Sequence, residues 1–110
     1  MDERARRVGL NEAMFREVNE RIEGLNRTFG ALTQQMDIVC ECGRSTCLER
    51  ILVPLPDYEH VRSDPTRFML VPGHDDPSVE AVVANGEGYV VVRKQGEDVE
   101  RLAAETDPRS

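Results

Sequence analysis

The chain has 110 residues, 39% of them apolar, 32% charged and 5% aromatic, and its formal net charge is −7. That length accommodates one domain with a modest core and excludes a second large one. The acidic balance removes any chain-wide attraction to phosphate, and no apolar run approaches the roughly 20 residues of a membrane span, so nucleic acid and bilayer are both poor partners.

The opening, Met1-Asp-Glu-Arg-Ala-Arg-Arg7, is charged and lacks the apolar stretch of a secretory signal, so the expected location is cytoplasmic. Residues 1–35 carry six acids and six arginines and are neutral; the whole net charge lies after them. Phe15, Val18, Ile22, Leu25, Phe29, Leu32 and Met36 recur at steps of three and four, which predicts an amphipathic helix with heptad character. Asn11 is its polar entry position, and Gly24 and Gly30 weaken it toward Phe29. A stripe of this kind packs on the chain's own sheet or pairs with another chain, most simply in a homodimer through the N-terminal helix.

From residue 36 to 105 the pattern turns to short elements. Met36–Cys42 alternates as a strand does, Glu49–Leu55 reads as a second strand, and Pro56–Arg62 as a short helix with proline in its first turn. Phe68–Val71 is a third strand. Asp76-Pro77 looks like a helix cap and first residue, followed by Val79, Val82 and Val83 at helical spacing. Asn85-Gly-Glu-Gly88 is a turn, Tyr89–Lys94 the strongest strand, and Glu97–Glu105 a last helix with Val99, Leu102 and Ala103 inward. The tail, 106–110, is expected to fray. The expected class is α+β: an N-terminal amphipathic helix, then a small mixed sheet of about four strands with short helices, stapled by a metal.

The staple is expected from Cys40-Glu-Cys42-Gly-Arg-Ser-Thr-Cys47 and from the two histidines, His60 and His74. Residues two apart in a strand face the same side, so Cys40 and Cys42 can aim at one centre while Glu41 faces away. Gly43 then lets the chain turn so that Cys47 comes within reach. Three thiolates and one imidazole complete a tetrahedral Zn²⁺ site and leave no position for substrate. His60 falls inside the short helix, with a solvated surface role. His74 follows the Pro72-Gly73 turn and is free to project, with Asp75 and Asp76 available to its other ring nitrogen, so the predicted ligands are Cys40, Cys42, Cys47 and His74.

These residues also carry a resemblance. Asn11–Ile22, Val39-Cys-Glu-Cys-Gly43 with Cys47, Tyr58-Glu59, Pro72-Gly-His74, Tyr89–Val92 and Thr106–Arg109 together resemble a group of short actinobacterial proteins with a Cys-x-Cys-x4-Cys loop and a distal Pro-Gly-His turn. The resemblance spans most of the chain and implies no activity, only that the cysteines and the turn belong to one pattern. A bacterial source also fits the arginine bias, since Lys94 is the single lysine among 14 basic residues. Cys40, Cys42 and Ser45 are similar to the opening of CDGSH-type iron–sulfur proteins. Those proteins, however, place the third cysteine and the histidine together in one later motif, whereas Cys47 comes early and His74 stands alone. Cys47 and His74 could be drawn as nucleophile and base, but no nucleophile elbow and no phosphate-cradling glycine loop accompanies them. The functional expectation is a small zinc-binding protein acting through protein contacts in a regulatory or adaptor role; the alternative is a thiol or iron–sulfur redox protein using the same cysteines.

Overall fold

The structure, a computed structural model, describes residues 1–28 and 35–109. In chain order its elements are α1 (Glu3–Thr28), β1 (Gln35–Val39), β2 (Arg50–Pro54), α2 (Leu55–Arg62), β3 (Arg67–Leu70), β4 (Glu80–Gly86), β5 (Tyr89–Lys94) and α3 (Glu97–Glu105). The class is α+β, as expected. The single mixed sheet is not found among the described residues: two antiparallel sheets share five strands, β1 with β2, and β3-β5-β4. The helix expected over Pro77–Val83 is a strand instead. Asp76 does cap a turn, accepting the Ser78 N–H at 3.1 Å on its carboxylate and those of Val79 and Glu80 on its carbonyl, but the turn does not propagate. The β-branched Val82 and Val83 favour extended backbone, and the two-residue return to Tyr89 offers a ladder. A register shift between Val82 and Ala84 leaves both valines exposed, which is how helical spacing and a strand coexist.

α1 begins earlier than Asn11. Asp2 accepts the Ala5 N–H at 2.7 Å, a side-chain cap that lets the helix start at the chain's beginning, and the terminal ammonium lies 3.0 Å from Asp98. The face that α1 presents to the rest of the molecule is not the apolar stripe. Glu12, Arg16, Asn19 and Glu23 are buried, while Leu10, Met14, Val18 and Leu25 are exposed and Phe15 and Ile22 are half-buried. Phe29 and Leu32 of the predicted stripe, and Gly30, lie outside the described residues, and Met36, the stripe's last member, is a buried residue of β1 instead.

Each buried polar group on α1 has work that an apolar side chain could not do. Arg16 donates to the carbonyls of Pro65 and Ala103 at 2.5 and 2.8 Å and lies 4.5 Å over the Phe68 ring. Asn19 clamps the end of β1, donating to Val39 O and accepting from Val39 N, both at 2.8 Å. Glu12 and Glu80 hold the buried Lys94 ammonium at 2.5 and 3.0 Å. The apolar core lies between the two sheets, where Ile38, Val53, Phe68, Met69, Leu70 and Val92 are almost fully enclosed. In the tail, Arg109 pairs with Glu20, Glu23 and Glu59, tying it to α1 and α2; Ser110 lies outside the described residues.

Candidate metal centre

The alternation of β1 carries the site. Met36 and Ile38 point into the core, and the same parity continues past the strand's end, so Cys40 and Cys42 are buried in line with them. The Cys40 N–H donates to Glu49 O at 3.1 Å and the Glu41 N–H to Met69 O at 2.9 Å, so this short stretch bridges the β1-β2 pair and β3 of the other sheet. Gly43 permits the turn because Val8 of α1 sits against it. A Cβ there would come within 2.5 Å of the valine methyl. Asn11 donates to Gly43 O at 2.9 Å from the same helix. The Cys47 N–H then donates to Arg44 O at 3.0 Å, closing a tight loop that returns the third thiol to the first two.

His74 arrives from the other sheet. Beyond β3, Gly73 takes a φ of +88°, a value that glycine adopts without strain, and the His74 N–H donates to Val71 O at 3.0 Å. Its Nδ1 lies 3.6 Å from Cys40 Sγ and 3.7 Å from Cys47 Sγ. One ligand atom from each of Cys40, Cys42, Cys47 and His74 lies within 4.8 Å of every other, so the four predicted ligands form a group that could hold a metal ion. His60 is exposed on α2 and belongs to no such group among the described residues. Asp75 and Asp76 do not hydrogen-bond His74 as expected. Asp76 instead pairs with Arg4 at 2.6 Å and with Ser78, and the two aspartates line, with His74, a cavity of about 320 Å³.

The surroundings treat the three thiols unequally. The Val71 N–H donates to Cys40 Sγ at 3.2 Å. Cys42 surrenders its proton first: the hydrogen bond from the Cys40 thiol, together with the Arg44 N–H and His74, lowers it to about 4. Cys40 is pushed up by that same pairing and by burial, and Cys47 chiefly by burial. Removal of the remaining protons therefore needs a positive charge at the centre, which a divalent ion supplies.

Sequence reasoning placed Glu41 on the opposite side from its neighbours, and there it is. That side is not solvent, however. Glu41 is fully buried, accepting from Asn19 Nδ2 at 2.7 Å, Arg62 Nη2 at 3.0 Å and the Met69 N–H at 2.9 Å. The residue between two candidate ligands is thus fixed by α1, α2 and β3 together. Its partners are distant in sequence, and the only signal was an acid in a Cys-x-Cys step with arginine and asparagine free elsewhere.

No family model, no curated protein and no solved structure matches this chain. The assignment of the site therefore rests on its donors and their spacing.

Proposed function

We propose that Cys40, Cys42, Cys47 and His74 bind one structural Zn²⁺ and that the protein acts through protein contacts on the scaffold so closed. The observation that carries the zinc reading is the spacing of the ligand atoms. Tetrahedral Zn²⁺ with bonds of about 2.3 Å to sulfur and 2.0 to 2.1 Å to nitrogen separates S from N by about 3.6 Å. His74 Nδ1 lies 3.6 Å from Cys40 Sγ and 3.7 Å from Cys47 Sγ. A two-iron cluster distributes four ligands over two metals and would spread them further than one tetrahedron, so the grouping favours a mononuclear centre over the iron–sulfur alternative. Three thiolates and an imidazole complete the coordination shell and leave no open position of the kind catalytic zinc retains. The contact role is supported by the exposed apolar flank of α1, where Leu10, Met14, Val18 and Leu25 are exposed while Glu12, Arg16, Asn19 and Glu23 face inward.

Elemental analysis of the protein as purified, with an absorption spectrum of the same sample, tests this reading. The expected result is a colourless protein with one zinc per chain. Iron with visible absorption assigns the cysteines to a cluster, and absence of any metal removes the site.

A further inference from the structure

We infer that the partner for the exposed flank of α1 is a second copy of this chain, paired helix to helix in antiparallel register about Val18. The inference rests on the reading that the protein acts through protein contacts and supplies the identity of the partner.

The first observation is that α1 is inverted relative to an ordinary surface helix. Its buried residues, Glu12, Arg16, Asn19 and Glu23, and its exposed apolar residues, Leu10, Met14, Val18 and Leu25, project on nearly opposite sides, about 160° apart at 100° per residue. The apolar residues are 40–59% exposed.

The second is the spacing. Measured from Val18, the apolar positions fall at −8 (Leu10), −4 (Met14), +4 (Ile22) and +7 (Leu25). A two-fold axis through Val18 sets Val18 against the partner's Val18, Met14 against the open side of the partner's half-buried Ile22, whose other side packs on its own core, and Leu10 near the partner's Leu25. This is one self-complementary seam about 22 Å long. A parallel arrangement does not use this symmetry.

The third is charge. The acidic excess lies after residue 35, so the first 35 residues bring two copies together without net repulsion. Glu17 and Arg21 flank the seam on one side and form an exposed pair at 3.1 Å within the helix. In the antiparallel register each Glu17 lies within about two residues of the partner's Arg21, so the same two charges pair across the axis on either side of Val18.

The test measures mass by light scattering at high micromolar concentration, with zinc content measured on the same samples. The unmodified protein is expected at twice 12.4 kDa. Val18→Asp is expected to be monomeric with helix content and zinc unchanged. Met14→Glu provides the same test if Val18→Asp fails to fold. Glu17→Arg and Arg21→Glu are each expected to weaken the dimer on the order of fivefold, because like charges then meet across the seam. Mixing the two variants restores a heterodimer, since each arginine then faces a glutamate. A monomeric unmodified protein carrying its zinc overturns the dimer and leaves the metal reading intact. A dimer that survives Val18→Asp overturns the interface, and failure of the mixture to rescue overturns the antiparallel register. A monomer that Val18→Asp merely destabilises shows the flank to be covered by the chain itself. Loss of zinc from a protein that remains dimeric overturns the metal reading alone.

Discussion

His74 and His60 separate cleanly at the level of single residues. His74 is held by a glycine-dependent turn with Nδ1 between two sulfurs, whereas His60 is an exposed side chain on α2. His74→Ala leaves three thiolates and one open position, so zinc retention is expected to fall and the cysteines to react faster with an alkylating reagent. His60→Ala is expected to change neither. Reversed behaviour would assign the fourth ligand to His60, and equal behaviour would show that no histidine ligates. The grouping of Cys40, Cys42 and Cys47 with His74 rather than His60 was legible in the sequence, because strand parity, a turn glycine and histidine chemistry are local properties. Glu41 was legible only in its direction. Its burial depends on Asn19, Arg62 and Met69, none of which is near it in sequence.

Among the elements, α1 is where local pattern and tertiary packing part company. The three–four spacing of apolar residues marked a helix, but the side of α1 turned to the rest of the molecule is mainly polar, with Phe15 and Ile22 half-buried and Val18 and Leu25 exposed. The buried face is recognisable as periodic, at Glu12, Arg16, Asn19 and Glu23, but polar residues at helical spacing usually mark water, and only their partners on other elements reveal otherwise. The Glu12–Lys94–Glu80 group is the sharpest case, with two carboxylates on one ammonium in a dry setting and Glu12 Oε2 left without a hydrogen-bond donor. Burial, and then the neighbouring Glu80, raise the Glu12 carboxyl well above its usual value of 4.5, against the pull of Lys94. A carboxyl raised in the folded state binds its proton more tightly there than in the unfolded chain. Its contribution to stability is therefore complete at low pH and is lost as pH climbs from the ordinary carboxylate range through the raised value. Glu12→Gln keeps an acceptor for Lys94, offers Glu80 a donor and removes the titration. Relative to the unmodified protein, this variant is expected to gain stability as pH rises from about 5 to about 8. Urea unfolding at the two pH values measures it, and a difference between the two proteins that does not change with pH contradicts the assignment.

Seen as a whole, the molecule is two small antiparallel sheets joined at a corner by the candidate metal ligands. Three ligands extend from β1 and the loop before β2, and the fourth follows β3. The main-chain link from Glu41 to Met69 and the clamp of α1 over Gly43 and Val39 act at the same corner. The link between the cysteine loop and the Pro-Gly-His turn was readable in advance, because one ion demands that its ligands meet. The division into two sheets was not. Strand order depends on which edges pair, and the bulged β4 carries an apolar spacing that a helix shares. With a core this small, an ion held by this group would be central to the balance. Structural zinc supplies apparent free energies of about 10 to 16 kcal/mol in small peptides, comparable to the roughly 5 to 15 kcal/mol of net stability typical of a domain. The most direct measurement is thermal unfolding of the purified protein at neutral pH before and after complete chelation, with zinc added back to the chelated sample. The expected result is a sharp fall in melting temperature, or loss of the cooperative transition, that added zinc reverses. A melting curve that chelation leaves unchanged would contradict the claim that a metal at Cys40, Cys42, Cys47 and His74 holds this fold together.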